Sequence, residues 1–133
     1  MKLKGKVALV TGAGGGLGSA IAKRFAAEGA SVLCTDLELE KAEFTVTAIT
    51  KNGGTANALA ANVADPEDCE AQVDETIQRY GRIDIAVNNA GIALHRLALE
   101  TSLEDWQQVL DINLTGSFLT AKAAARHMVA QES

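Results

Sequence analysis

A chain of 133 residues, 47% hydrophobic and 22% charged, has the length of one domain and is too apolar to stay disordered. Twelve Lys and Arg against seventeen Asp and Glu leave a net charge of -5, which gives no broad electrostatic reason to approach nucleic acid or an anionic membrane. The apolar stretch behind the basic N-terminus, residues 7–10, is shorter than a signal-peptide core and far short of the ~20 residues that span a bilayer, so the expected location is the cytoplasm.

In chain order, 7–10 (VALV) reads as a strand buried on both faces. A glycine-rich turn follows, and then a helix with Leu17, Ile21 and Phe25 at four-residue spacing, stopped by Gly29. Residues 31–35 (SVLCT) form a second buried strand, 38–52 a helix ended by Asn52, Gly53 and Gly54, and 56–61 a weaker third strand. Asp65 and Pro66 make a strong start for a helix running to about Tyr80, because Asp65 can cap free N–H groups and Pro66 fills a first-turn position that needs no donor. Residues 83–87 (IDIAV) form a fourth strand. Thr101 with Glu104, or Ser102 with Asp105, can form a capping box opening another helix. A final helix, from about 115 to 130, carries Phe118, Ala121, Ala125 and Met128 along one face, with Asn113 in a break before it. This alternation predicts an α/β fold: a Rossmann-type, doubly wound parallel sheet in the order 3-2-1-4. Cys34 and Cys69 lack any CxxC spacing, and His95 and His127 stand alone, so buried free thiols and no metal site are expected.

The segment 11–18, TGAGGGLG, lies where a strand passes into a helix. Glycines there let a pyrophosphate approach the backbone, and the helix N-terminus offers unpaired N–H donors and a positive dipole end. A P-loop is excluded because no glycine is followed by Lys and Ser or Thr. A ligand-free glycine turn is the plain alternative. Against it stands Asp36, which ends the second strand at the distance where a dinucleotide fold places a ribose-binding carboxylate. A carboxylate accepts from both ribose hydroxyls and repels a 2′-phosphate, and Ala13, Gly14, Gly15 and Leu37 supply no cation for such a phosphate. NAD is therefore expected over NADP. Asp36 can equally cap the helix that begins near Glu38, a role compatible with the first.

Strict GxGxxG spacing does not fit, but Thr11, Gly12, Gly16 and Gly18 resemble the TGxxxGxG turn of the short-chain dehydrogenase/reductase family. Asn62-Val63 resembles the segment that touches adenine in that family, with Asn where the family often has Asp. Asn88-Asn89-Ala90-Gly91, followed by Ile92, matches the family's NNAG, which lines the pocket beside the ribose. The resemblance spans nearly the whole chain. It implies cofactor contacts from Gly12, Gly14, Gly15, Gly16, Leu17, Gly18, Asp36, Leu37, Asn62, Val63, Asn89, Ala90, Gly91 and Ile92. It also implies a catalytic part for Asn113, in a water-linked proton relay to a lysine.

The same resemblance implies hydride transfer between nicotinamide and a carbonyl or alcohol substrate. A tyrosine in a YxxxK segment then acts as acid and base, its pKa lowered by the lysine. No such segment occurs here. Tyr80, the sole tyrosine, is followed at the fourth place by Asp84 and precedes NNAG, so it reads as packing or a helix end. Residues 1–133 are expected to be the NAD-binding part of a longer, homo-oligomeric enzyme, inactive alone, with the fourth strand an open edge. A non-catalytic dinucleotide-binding sensor or partner module is the alternative. The substrate is not legible.

Overall fold

The computed structural model describes residues 1–132. Val7–Val10 (β1) is buried at every position because it lies inside a parallel sheet with helices on both faces. It pairs on one side with β2 (Ser31–Asp36) and on the other with β4 (Ile85–Val87), while β3 (Thr55–Ala60) extends the sheet beyond β2. The order is β3-β2-β1-β4, all parallel, as the alternation of elements implied. β4 is an edge of this sheet among the described residues.

Side chains alternate across the sheet. Val10, Val32, Cys34 and Ala56 pack under α1 (Gly16–Ala27) and α2 (Leu39–Lys51), whereas Leu9 and Leu33 pack with α3 (Pro66–Tyr80) and α5 (Gly116–Ala130) on the other face. A period of two produces both layers from one strand. The start of α3 is as expected, with Asp65 Oδ1 accepting from Glu67 N at 2.9 Å and Pro66 in the first turn. Of the two candidate caps for α4 (Leu103–Leu110), Ser102 is the N-cap, its Oγ accepting from Asp105 N at 3.0 Å, while the Asp105 carboxylate pairs with Arg96.

Four expectations need correction. The stripe that α1 buries is Gly18, Ala22 and Ala26, while Leu17 is 75% exposed and Ile21 and Phe25 flank the contact. Small residues win that face because they let the helix axis approach the sheet closely. On α5 the buried residues are Gly116, Thr120, Ala123 and Ala124; Phe118, Ala121 and Ala125 face outward, and Met128 alone of that set reaches the core. No break precedes α5: α4 runs through a π-helical turn, Asp111–Thr115, directly into it.

β4 also begins two residues later than its apolar run suggests. Ile83 has its N–H and C=O taken by the Gln131 amide, at 3.0 and 2.8 Å. Asp84 bridges to β1 through its own N–H and through Oδ2, which accepts from Val7 N at 2.9 Å. A buried polar chain ties the layers together: Thr35 Oγ1 donates to Gln72 Oε1, and Gln72 Nε2 donates to Thr120 Oγ1, each at 2.9 Å. Cys34 and Cys69 are buried free thiols, and burial pushes Cys34 up to about 12, where it is inert at neutral pH.

Candidate functional site

The C-terminal ends of β1 and β4 are laced into one unit. Thr11 N donates to Val87 O at 3.0 Å, and Thr11 Oγ1 accepts from Asn89 N and Ala90 N at 3.1 and 3.0 Å. Asn89 Nδ2 donates back to Thr11 O and Gly12 O, both at 3.1 Å. The glycines of the turn divide by task. A Cβ on Gly18 would stand 2.2 Å from Gly12 O, and one on Gly12, whose φ is +61°, would stand 2.9 Å from Ala90 Cα. Those two glycines permit chain-to-chain packing. A Cβ on Gly15 or Gly16 would meet nothing within 4 Å, so the bare rim of the turn lies there.

Gly15 precedes α1 with no side-chain cap, and the first turn of α1 carries no acid. At α3 and α4 the corresponding N–H groups are served by Asp65 and Ser102, with acids in both first turns. α2 also lacks a side-chain cap but carries Glu40 in its first turn, so the start of α1 combines free donors with a positive dipole that no first-turn acid offsets. The turn itself is braced from below: Ala13 N donates to Thr35 O at 2.9 Å, and the buried Thr45 hydroxyl donates to Ala13 O at 2.7 Å and lies 3.0 Å from Ser19 Oγ.

Asp36 reaches the turn from the end of β2. Its Oδ2 accepts from Gly14 N at 3.0 Å, and its Oδ1 accepts from Glu38 N at 3.1 Å. The second bond closes a tight turn just before α2 and does not cap the helix, whose N-cap is Glu38; each carboxylate oxygen keeps lone-pair capacity for a further donor. Lys41, on the first turn of α2, stands beside it, with Nζ 2.6 Å from Glu38 Oε2; that hydrogen bond and charge hold the Lys41 pKa above its ordinary value.

Two adjoining clefts run along these strand ends. One of about 160 Å³ is lined by Gly12, Asp36, Leu37, Asn62, Val63 and residues 90–92. The other, about 440 Å³, adds Gly14, Gly15, Lys41 and Asn89. The structure therefore gathers Gly12, Gly14, Gly15, Asp36, Leu37, Asn62, Val63, Asn89, Ala90, Gly91 and Ile92 in one place. Gly16 and the exposed Leu17 open α1 at the rim, and Gly18 is buried beneath the turn. The Asn62 Oδ1 atom is engaged by Ala64 N at 3.0 Å. Asn113 sits behind this wall, its Nδ2 donating to Ile92 O and its Oδ1 accepting from Ile92 N, each at 2.8 Å, so the π-helical turn pins the segment after Gly91. A third cleft, about 800 Å³, lies apart between Leu94 and Leu110 and holds Trp106 and the Arg96–Asp105 ion pair.

Tyr80 is remote in role from the clefts. Its hydroxyl donates to Asn57 Oδ1 at 2.7 Å under the sheet, and burial pushes its pKa up to about 12, the direction opposite to that of an activated acid–base tyrosine. Among the described residues no group of His, Cys, Asp and Glu is arranged to hold a metal, and no helix is long and apolar enough to cross a membrane. Sequence reasoning missed Thr45, Gln72 and Lys41. Only Lys41 left a signal: it lies five residues beyond Asp36, one turn into the helix that faces the glycines.

A parallel sheet wound outward from β1, with a glycine turn and an acid at the point where the winding reverses, defines the Rossmann class of α/β domain. Residues 6–133 match the short chain dehydrogenase family model, and the chain belongs to that family, whose members use nicotinamide dinucleotides. It is 45% identical to a 3-oxoacyl-[acyl-carrier-protein] reductase of Synechocystis sp. over 98% of its length and 53% of that protein. It is 43% identical to a D-threitol dehydrogenase of Mycolicibacterium smegmatis, over 96% of its length and 49% of that protein. A short-chain type dehydrogenase/reductase from Mycobacterium marinum superposes with a TM-score of 0.95 at 39% identity, over 98% of this chain and 53% of that one. The chain spans about half the length of the curated relatives it matches.

Proposed function

We propose that this chain seats NAD for hydride transfer between nicotinamide and a carbonyl or alcohol carbon. The observation that carries this reading is the Asp36 carboxylate, held against Gly14 N at 3.0 Å beside the uncapped start of α1. The residues fit the group: N–H donors at the open rim by Gly15 and Gly16 suit the pyrophosphate, and Asp36 suits the ribose hydroxyls. In the clefts they line, Asn62, Val63 and Leu37 would hold the adenine end, and Asn89, Ala90, Gly91 and Ile92 would wall the central ribose. Bound nicotinamide supplies or takes the hydride. Asn113 holds Ile92 in place and, by resemblance, belongs to the proton relay.

Because Tyr80 is a packing residue, the 133-residue chain alone is expected not to turn over substrate. The relatives named above are a 3-oxoacyl-[acyl-carrier-protein] reductase and a D-threitol dehydrogenase, so substrate class does not follow from likeness. Pairing of copies through the exposed face of α5 that carries Phe118, and work in the cytoplasm on a small soluble substrate, complete the reading. Fluorescence titration with NADH and NADPH tests it. The wild-type chain should bind NADH more tightly, and Asp36→Ala should weaken NADH by about tenfold or more and narrow its lead over NADPH. A wild-type chain that binds neither would refute the proposal.

A further inference from the structure

Lys41 lines the same cleft as Gly12, Gly14, Gly15, Asp36 and Asn89. A Cβ on Gly14 would stand 2.5 Å from Lys41 Cβ and 2.6 Å from Asp36 Oδ2. The lysine stem and the carboxylate therefore press on one point of the turn, and the ammonium group is tethered beside the place proposed for the ribose. Its present partner is Glu38, in a pair whose side chains are 64% and 59% exposed. Exposed pairs of this kind are weak and exchange readily for a better anion. A phosphate dianion is such an anion, with twice the charge and three acceptor oxygens.

We propose that Lys41 sets the tolerance of this site for a phosphate on the adenosine ribose: it leaves Glu38, pairs with the 2′-phosphate, offsets repulsion from Asp36, and so admits NADP as a second, weaker cofactor. This rests on the dinucleotide reading above. The preference for NAD stays with Asp36, and Lys41 determines its size.

NADH and NADPH affinities are measured by fluorescence titration for the wild-type chain, Lys41→Met, Lys41→Arg, Glu38→Gln and the double variant Glu38→Gln/Lys41→Met. Methionine keeps a stem against Gly14 and removes the charge. Lys41→Met should raise the NADPH-to-NADH ratio of dissociation constants by about three- to tenfold at low salt, and the effect should shrink near ~0.5 M salt. Lys41→Arg should restore the wild-type ratio. Glu38→Gln should lower it, and most of that gain should vanish in the double variant. An unchanged ratio in Lys41→Met, or a Glu38→Gln gain that persists in full without Lys41, overturns the inference while NADH binding leaves the cofactor reading standing. A wild-type chain that binds neither nucleotide overturns both.

Discussion

Gly18→Ala separates packing of the glycine turn from its exposure to ligand. The added methyl would stand 2.2 Å from Gly12 O and 2.5 Å from Asn89 Nδ2, about 1 Å inside ordinary contact. Either α1 backs away from the turn or the Asn89 amide swings out and gives up its two bonds to Thr11 O and Gly12 O. Overpacking of this degree costs ~1–3 kcal/mol and each lost bond ~1 kcal/mol, while alanine returns ~1 kcal/mol of helix propensity. The net expectation is a loss of about 2–4 kcal/mol, read by urea unfolding with an unchanged m-value. Gly53→Ala is the control. There the added Cβ meets nothing within 4 Å and only the φ of +82° is strained, so the cost should be about 1–2 kcal/mol. A Gly18→Ala chain as stable as wild type would show that the turn is not packed as described.

Thr45→Val should cost ~1–3 kcal/mol in urea unfolding, because it strands the Ala13 carbonyl, and Thr45→Ser should recover most of it. The Arg82 guanidinium, through its hydrogen bond, holds the nearly buried Asp84 carboxyl below the usual carboxylate range. A depressed folded pKa means stability that is present above the unfolded value of ~3.9 and is lost as pH falls through the folded one. The stability gap between wild type and Asp84→Asn should therefore be full at pH 7 and close below pH ~4, measured by unfolding at each pH. Asn113→Ala should change global stability by less than ~1 kcal/mol, since the Ile92 backbone groups it frees are solvent-accessible. Amide exchange at Ile92 should nevertheless accelerate, which hydrogen exchange followed by mass spectrometry would detect.

Strand order, helix order and the glycine turn were legible because each is encoded locally, by apolar runs and by punctuation at Gly29, Gly53, Asp65 and Pro66. Helix faces were less so. In α1 two stripes share the four-residue period, and nothing in spacing alone says that Gly18, Ala22 and Ala26 outrank Leu17, Ile21 and Phe25; the requirement of close approach to the sheet decides it. Gln72 is a polar residue in the middle of α3, yet it is fully buried because Thr35 and Thr120 satisfy both ends of its amide. The partners that make it a core residue are 37 positions before it and 48 after. Asp36 was found from its place at a strand end, whereas its bond to Gly14 depends on the register of β1 against β2. Lys41 went unnoticed because only the folding of α2 against the turn brings it to the carboxylate.

The widened turn at Asp111–Thr115 sits inside an otherwise unbroken rod of helix. A π-bulge of this type amounts to one surplus residue in an α-helical repeat. Shortening the chain by that residue would heal the rod into ordinary α-helix with both flanking faces still in phase. What would disappear is the bulge that pushes a side-chain amide outward to imitate a neighbouring strand against Ile92. The helix keeps a spare residue at this spot, and what it gains is a latch on the loop beside the cleft.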